Sequence, residues 1–89
     1  MNSALNAILI EVIPDDPETD MNSLLEKVRE KLPPNVKIKD HKVEPFVFGL
    51  NKLKVMLIAP EKEGILTQIE ENLSSIEGIT IEILSVTRL

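Results

Sequence analysis

Few residues in this chain have the type and spacing to do chemistry. Asp15, Asp16, Glu18 and Asp20 form a carboxylate cluster in a loop that also carries two prolines, Pro14 and Pro17. The cluster lacks the calcium-loop register, a Gly at the sixth position and a bidentate Glu at the twelfth, so it reads as solvated, helix-capping residues. His41 stands alone among lysines, without a nucleophile at a useful spacing, and reads as a surface residue. Ser74-Ser75 at a helix end has no histidine partner for nucleophilic attack. The three glycines are isolated, so no phosphate-cradling loop is present. No cysteine and a single histidine exclude disulfides, thiolate metal sites and histidine clusters.

What remains is charge and aromaticity. Between Val36 and Lys54 lie five lysines (Lys37, Lys39, Lys42, Lys52, Lys54) and two acids (Asp40, Glu44), in a chain of net charge −5. This basic segment has two readings: lysines that guard an edge strand against pairing, or a docking surface for an acidic partner. The only two aromatic residues, Phe46 and Phe48, flank Val47 just before Gly49. As alternate strand positions they would point the same way. The ordinary reading is a core place, taken for Phe46; the alternative beside Gly49 is an aromatic presented outward as an anchor, with Phe48 the candidate. Two Phe are too few for a base-stacking surface, and the acidic balance argues against general nucleic-acid binding. Arg88 is the penultimate residue; its position alone reads as a frayed end.

The elements that must position these groups are set by periodicity. Ala4 to Ile13 is apolar except for Asn6 and Glu11, and reads as a strand buried on both faces. Two prolines end it, and Thr19 or Asp20 caps the next element. Met21, Leu24, Leu25, Val28 and Leu32 mark one face of a helix, stopped by Pro33-Pro34. Val36 to Phe48 reads as an edge strand, with a phase slip near Lys39–His41 that signals a bulge and with Pro45 fitting an edge. Gly49-Leu50-Asn51 is the expected hairpin turn. In Lys52 to Ala59, Leu53, Val55, Leu57 and Ala59 form an inner face. Ile65, Leu66, Ile69, Leu73 and Ile76 mark a second helix, with Gly78 as its left-handed terminus. Ile79 to Val86 is the last strand.

The order β-α-β-β-α-β, with right-handed crossovers, gives an α+β fold. It is the ferredoxin-like plait, a four-stranded antiparallel sheet with both helices on one face. Its first and third strands are central, and here they are the most apolar. The expectation is one domain over residues 1–89. Met1-Asn2-Ser3 shows no basic and apolar leader pattern and no apolar run spans a bilayer, so the expected compartment is the cytoplasm.

Four segments then carry a resemblance. They are Pro14-Asp15-Asp16-Pro17-Glu18-Thr19-Asp20-Met21, Lys42-Val43-Glu44-Pro45, Phe48-Gly49-Leu50-Asn51-Lys52-Leu53 and Thr87-Arg88-Leu89. In this order, over about Ala7 to Leu89, they resemble the guanine-nucleotide exchange domain of translation elongation factor 1-beta. The length is similar to the stand-alone archaeal form. The resemblance implies the same plait, no cofactor or metal of its own, and no enzymatic bond-making. The role it implies is release of GDP from the GTPase elongation factor 1-alpha. The partner-contacting residues it implies are Phe48, Gly49, Lys52, Lys54 and Arg88. Phe48 matches the hairpin aromatic that enters a pocket of the GTPase. Arg88 matches the basic side chain that reaches the magnesium and phosphate region, where the best-known members carry Lys. Asn51 replaces the first residue of the hairpin's usual basic pair, and Lys52 keeps the second. The expected protein is a monomer with no direct nucleic-acid or membrane contact. The rival reading on the same plait is an ACT-like small-molecule regulatory module, disfavoured by a Pro- and Asp-rich first turn. An acylphosphatase-like enzyme would need an Arg-bearing phosphate cradle at that turn.

Overall fold

A computed structural model describes residues 4–89; the reading of Met1, Asn2 and Ser3 lies outside them. The elements are β1 (Leu5–Pro14), α1 (Met21–Lys31), β2 (Lys37–Pro45), a short turn (Val47–Gly49), β3 (Asn51–Pro60), α2 (Ile65–Leu73) and β4 (Ile79–Arg88). The sheet order is β2-β3-β1-β4 with every neighbour antiparallel. This is the expected plait, with the two apolar strands in the middle.

One core explains the pattern. Ile8, Ile10 and Val12 from β1 and Leu53, Val55, Leu57 and Ala59 from β3 are fully buried. They meet Leu24, Leu25 and Val28 of α1 and Ile65, Ile69 and Leu73 of α2. Each such aliphatic side chain contributes roughly 1.5–3 kcal/mol when withdrawn from water. The helices cover only this face. Leu9 and Ile13, on the other face of β1, are only half-buried. The expectation that β1 is buried on both sides is therefore corrected: its apolar run overstates its cover, and Glu11 marks the uncovered side.

The phase slip in β2 is a register shift between Ile38 and Asp40, opposite Leu57 and Met56. Asp20 caps α1, accepting from the Asn22 and Ser23 amides at 3.0 and 3.4 Å. The second helix ends sooner than expected. α2 stops at Leu73, and Ile76 reaches the core from a tight turn closed by its amide on the Leu73 carbonyl. Gly78 is left-handed (φ 75°) but lies in the turn into β4, where its carbonyl accepts from the Asp15 amide at 2.8 Å. It is not the cap of α2.

Candidate partner-binding site

The hairpin between β2 and β3 differs from its expected form. β2 ends at Pro45, paired with Asn51, and the turn is centred on Phe48-Gly49, earlier than the expected Gly49-Leu50-Asn51 and sharing only part of it. The Phe46 amide donates to the Leu50 carbonyl (2.8 Å), and the Leu50 amide donates to the Val47 carbonyl (3.1 Å). Between them, Phe48 (φ 58°) and Gly49 (φ 75°) are both left-handed. Turns with positive φ at both centres suit the twist of a hairpin, and Gly49 meets that demand without strain. Phe48 does not: a left-handed L-residue costs roughly 1–2 kcal/mol. Phe48 is 93% exposed. Such strain is kept where the surroundings over-determine it, commonly at functional sites.

Phe46 and Phe48 do not share a strand face, because neither lies in a strand. The expectation that Phe46 is a core residue is corrected too. It is 39% exposed, and its ring lies under the Lys52 ammonium, 5.2 Å from nitrogen to ring centre.

The basic segment is largely neutralised within the chain. Lys52 Nζ lies 2.9 Å from a Glu11 carboxylate oxygen, and Lys54 Nζ lies 3.9 Å from the same oxygen. Lys54 and Lys42 each reach Glu44 at 3.3 Å. Hydrogen bonds from Lys54 and then Lys42 hold the Glu44 carboxyl below its ordinary pKa. The hydrogen bond to Glu11 raises the Lys52 pKa. Lys52 and Lys54 therefore brace the uncovered sheet face first; among the described residues, the positive charge of β2 not held in an ion pair rests with exposed Lys37 and Lys39. Sequence reasoning misses Glu11 as a site residue. The signal for it is a lone acid in an apolar run whose neighbour strand carries lysines at alternate positions 52 and 54.

Arg88 is not frayed. It ends β4 opposite Asn6, and the next amide, Leu89, donates to the Leu5 carbonyl at 2.9 Å. Its guanidinium is 3.1 Å from the Glu61 carboxylate while 71% of the side chain remains exposed. The structure does not bring Arg88 and Phe48 together. Arg88 pairs with Asn6, which pairs with Ala59 near the end of β3, whereas the Phe48 turn precedes Asn51 at its start. Eight residues of strand separate these ends, about 26 Å at the usual rise, in a molecule 46 Å long.

Residues 7–89 match the family model described as the EF-1 guanine nucleotide exchange domain. The chain belongs to that family. Among its relatives is elongation factor 1-beta of Hyperthermus butylicus, 39% identical over 84 residues, 92% of this chain and 91% of that one. The same-named protein of Methanothermobacter thermautotrophicus is 37% identical over 81 residues, 90% and 91% of the two chains. That of Thermofilum pendens is 34% identical over 84 residues, 92% of each. Among solved structures the de novo designed protein Foldit4 superposes with a TM-score of 0.59 at 18% identity, covering 93% of this chain and 96% of its own. At that identity it supports the fold alone. The role of the exchange domain is guanine-nucleotide exchange in translation elongation. No described helix is long and apolar enough to cross a membrane.

Proposed function

We propose that this exchange domain releases GDP from elongation factor 1-alpha by touching the GTPase at two separated points. The observation that carries the reading is Phe48: an almost wholly exposed aromatic ring on a left-handed turn. A ring of this size held out in water is poised to fill a partner's pocket, and aromatic anchors dominate binding energy. Arg88, at the far end of the sheet, is the second point.

The physics of release is metal displacement. Nucleotide affinity in such GTPases rests on Mg²⁺ bridging phosphate oxygens. A guanidinium brought into that region competes with the metal for the same negative charge but cannot reproduce its coordination. The nucleotide loosens. Arg is a planar fork where Lys is a point charge, so Arg88 meets phosphate oxygens in pairs. By linkage, a factor that prefers the empty GTPase weakens nucleotide binding by the factor with which nucleotide weakens its own binding. No covalent bond changes. The strands between the two contacts make the domain a rigid spacer, so ring and guanidinium are delivered at fixed separation. Lys37 and Lys39 add a weak steering field.

The test is release of a fluorescent GDP analogue from the cognate elongation factor 1-alpha. Four samples are compared: no addition, the parent, Arg88→Ala and Phe48→Ala. The expected result is faster release by the parent, loss of the maximal rate in Arg88→Ala, and a higher half-saturating concentration in Phe48→Ala. Release that survives Arg88→Ala removes the displacement step. Absence of any acceleration removes the function.

A further inference from the structure

Glu11 is the buried polar residue of the described chain, 7% exposed at the centre of the uncovered sheet face. A carboxylate there is costly unless it is paired. Its partnership is informative. In the strand register Glu11 lies opposite Lys54, and Lys52 lies opposite Glu44. The closest contact instead runs diagonally, with Glu11 to Lys52 at 2.9 Å and Glu11 to Lys54 at 3.9 Å. Glu44 is left to Lys54 and Lys42. Glu11 thus draws Lys52 away from its direct neighbour. In that position the Lys52 ammonium covers the ring of Phe46. Phe46 in turn closes the exposed turn through its amide on the Leu50 carbonyl. Contacts run unbroken from Glu11 through Lys52 and Phe46 to the turn bearing Phe48.

We infer that Glu11 is a positioning residue for nucleotide exchange: acting through Lys52 and Phe46, it holds the turn of residues 47–50 in the left-handed form that presents Phe48. The inference rests on the reading of Phe48 as the anchor. The turn needs such a brace. Phe48 disfavours its own backbone geometry, its ring gains little from this domain, and nothing in the core reaches it. A cation over Phe46 fixes the base of the loop at one side while β3 fixes the other. With Glu11 uncharged, Lys52 is free to pair with Glu44 directly opposite and to leave the ring.

The test uses Glu11→Gln, which keeps shape and removes charge, and Lys52→Met, which keeps the aliphatic stem and removes the ammonium. The first readout needs no partner: amide hydrogen exchange of the protein alone. Protection of the Phe46 and Leu50 amides is expected to fall by about twofold to fivefold, the span of a surface cation–π contact, beyond any change at Ile10 and Leu57. Unchanged protection at Phe46 and Leu50 in both variants overturns the inference. The second readout is GDP release. Glu11→Gln should raise the half-saturating concentration with the maximal rate retained, and should add nothing in a Phe48→Ala background. Equal, additive losses in the two backgrounds show a merely structural Glu11 and also overturn it. Loosened amides in a protein whose parent form accelerates no release would instead locate the failure in the proposed function. Where Glu11→Gln fails to fold, Lys52→Met carries the hydrogen-exchange readout.

Discussion

Replacing Phe48 by Gly should separate stability from function. The native φ of 58° imposes roughly 1–2 kcal/mol on an L-residue. Gly removes that cost but gives the unfolded chain more freedom, worth roughly 0.5–1 kcal/mol. Phe48 is 93% exposed, so little burial is lost with its ring. The net is a folded state unchanged or stabilised by up to about 1.5 kcal/mol, a Tm the same or raised by as much as roughly 6–12 °C for a domain of this size. Binding should move the other way. Loss of an anchoring aromatic typically costs about 2 kcal/mol or more, which is roughly a thirtyfold weaker complex. Thermal unfolding and a titration of GDP-analogue release measure the two quantities on one preparation. Phe48→Ala is the control: it loses the ring, keeps the strained backbone, and should not gain stability. A Tm lowered by roughly 8 °C in Phe48→Gly, the span of about 1 kcal/mol in a small domain, would show that the ring packs on its own domain. An unshifted titration would show that it anchors nothing. Either result refutes the reasoning.

Three further outcomes are expected from the same geometry. The Glu44 pKa is lowered by Lys54 and Lys42, so its stabilising contribution is present above the ordinary carboxylate pKa and is lost as pH falls through the lowered one. Glu44→Gln should therefore flatten the acid side of the stability profile, read as denaturation midpoints from about pH 7 to about pH 3; an identical profile counts against the ion-pair assignment. Asp20→Ala removes the acceptor for the Asn22 and Ser23 amides and should cost about 1 kcal/mol by urea denaturation, whereas Asp20→Asn should cost little. Glu61→Gln frees the Arg88 guanidinium from its 3.1 Å partner. Because the pair is exposed, stability should change by less than about 1 kcal/mol. GDP release should quicken, and slower release would mean that Glu61 aims Arg88 rather than restrains it.

Much of this protein is written in its linear pattern. The helical spacing from Met21 to Leu32, the alternation from Leu53 to Ala59 and the proline stops are local signals, and each is set by which side of an element meets the core. The element order with the two most apolar strands at first and third place then fixes the plait. The motif around Phe48-Gly49 and the terminal Arg88 carry the resemblance to the family. What sequence spacing does not carry is depth on the uncovered face and the geometry of a turn. Phe46 and Phe48 look like alternate strand positions until the β2–β3 register ends at Pro45–Asn51 and forces two left-handed residues. Gly78 looks like a helix terminus until the chain turns back at Leu73. The lysines at 52 and 54 look like a free basic patch until β1 is laid beside β3, because Glu11 lies more than forty residues away in the chain and meets them only across the sheet. The separation of Phe48 from Arg88 is of the same kind. Local periodicity decides which elements form, but the hydrogen-bonded register of the assembled sheet decides which charges neutralise each other and which residues stand at opposite ends.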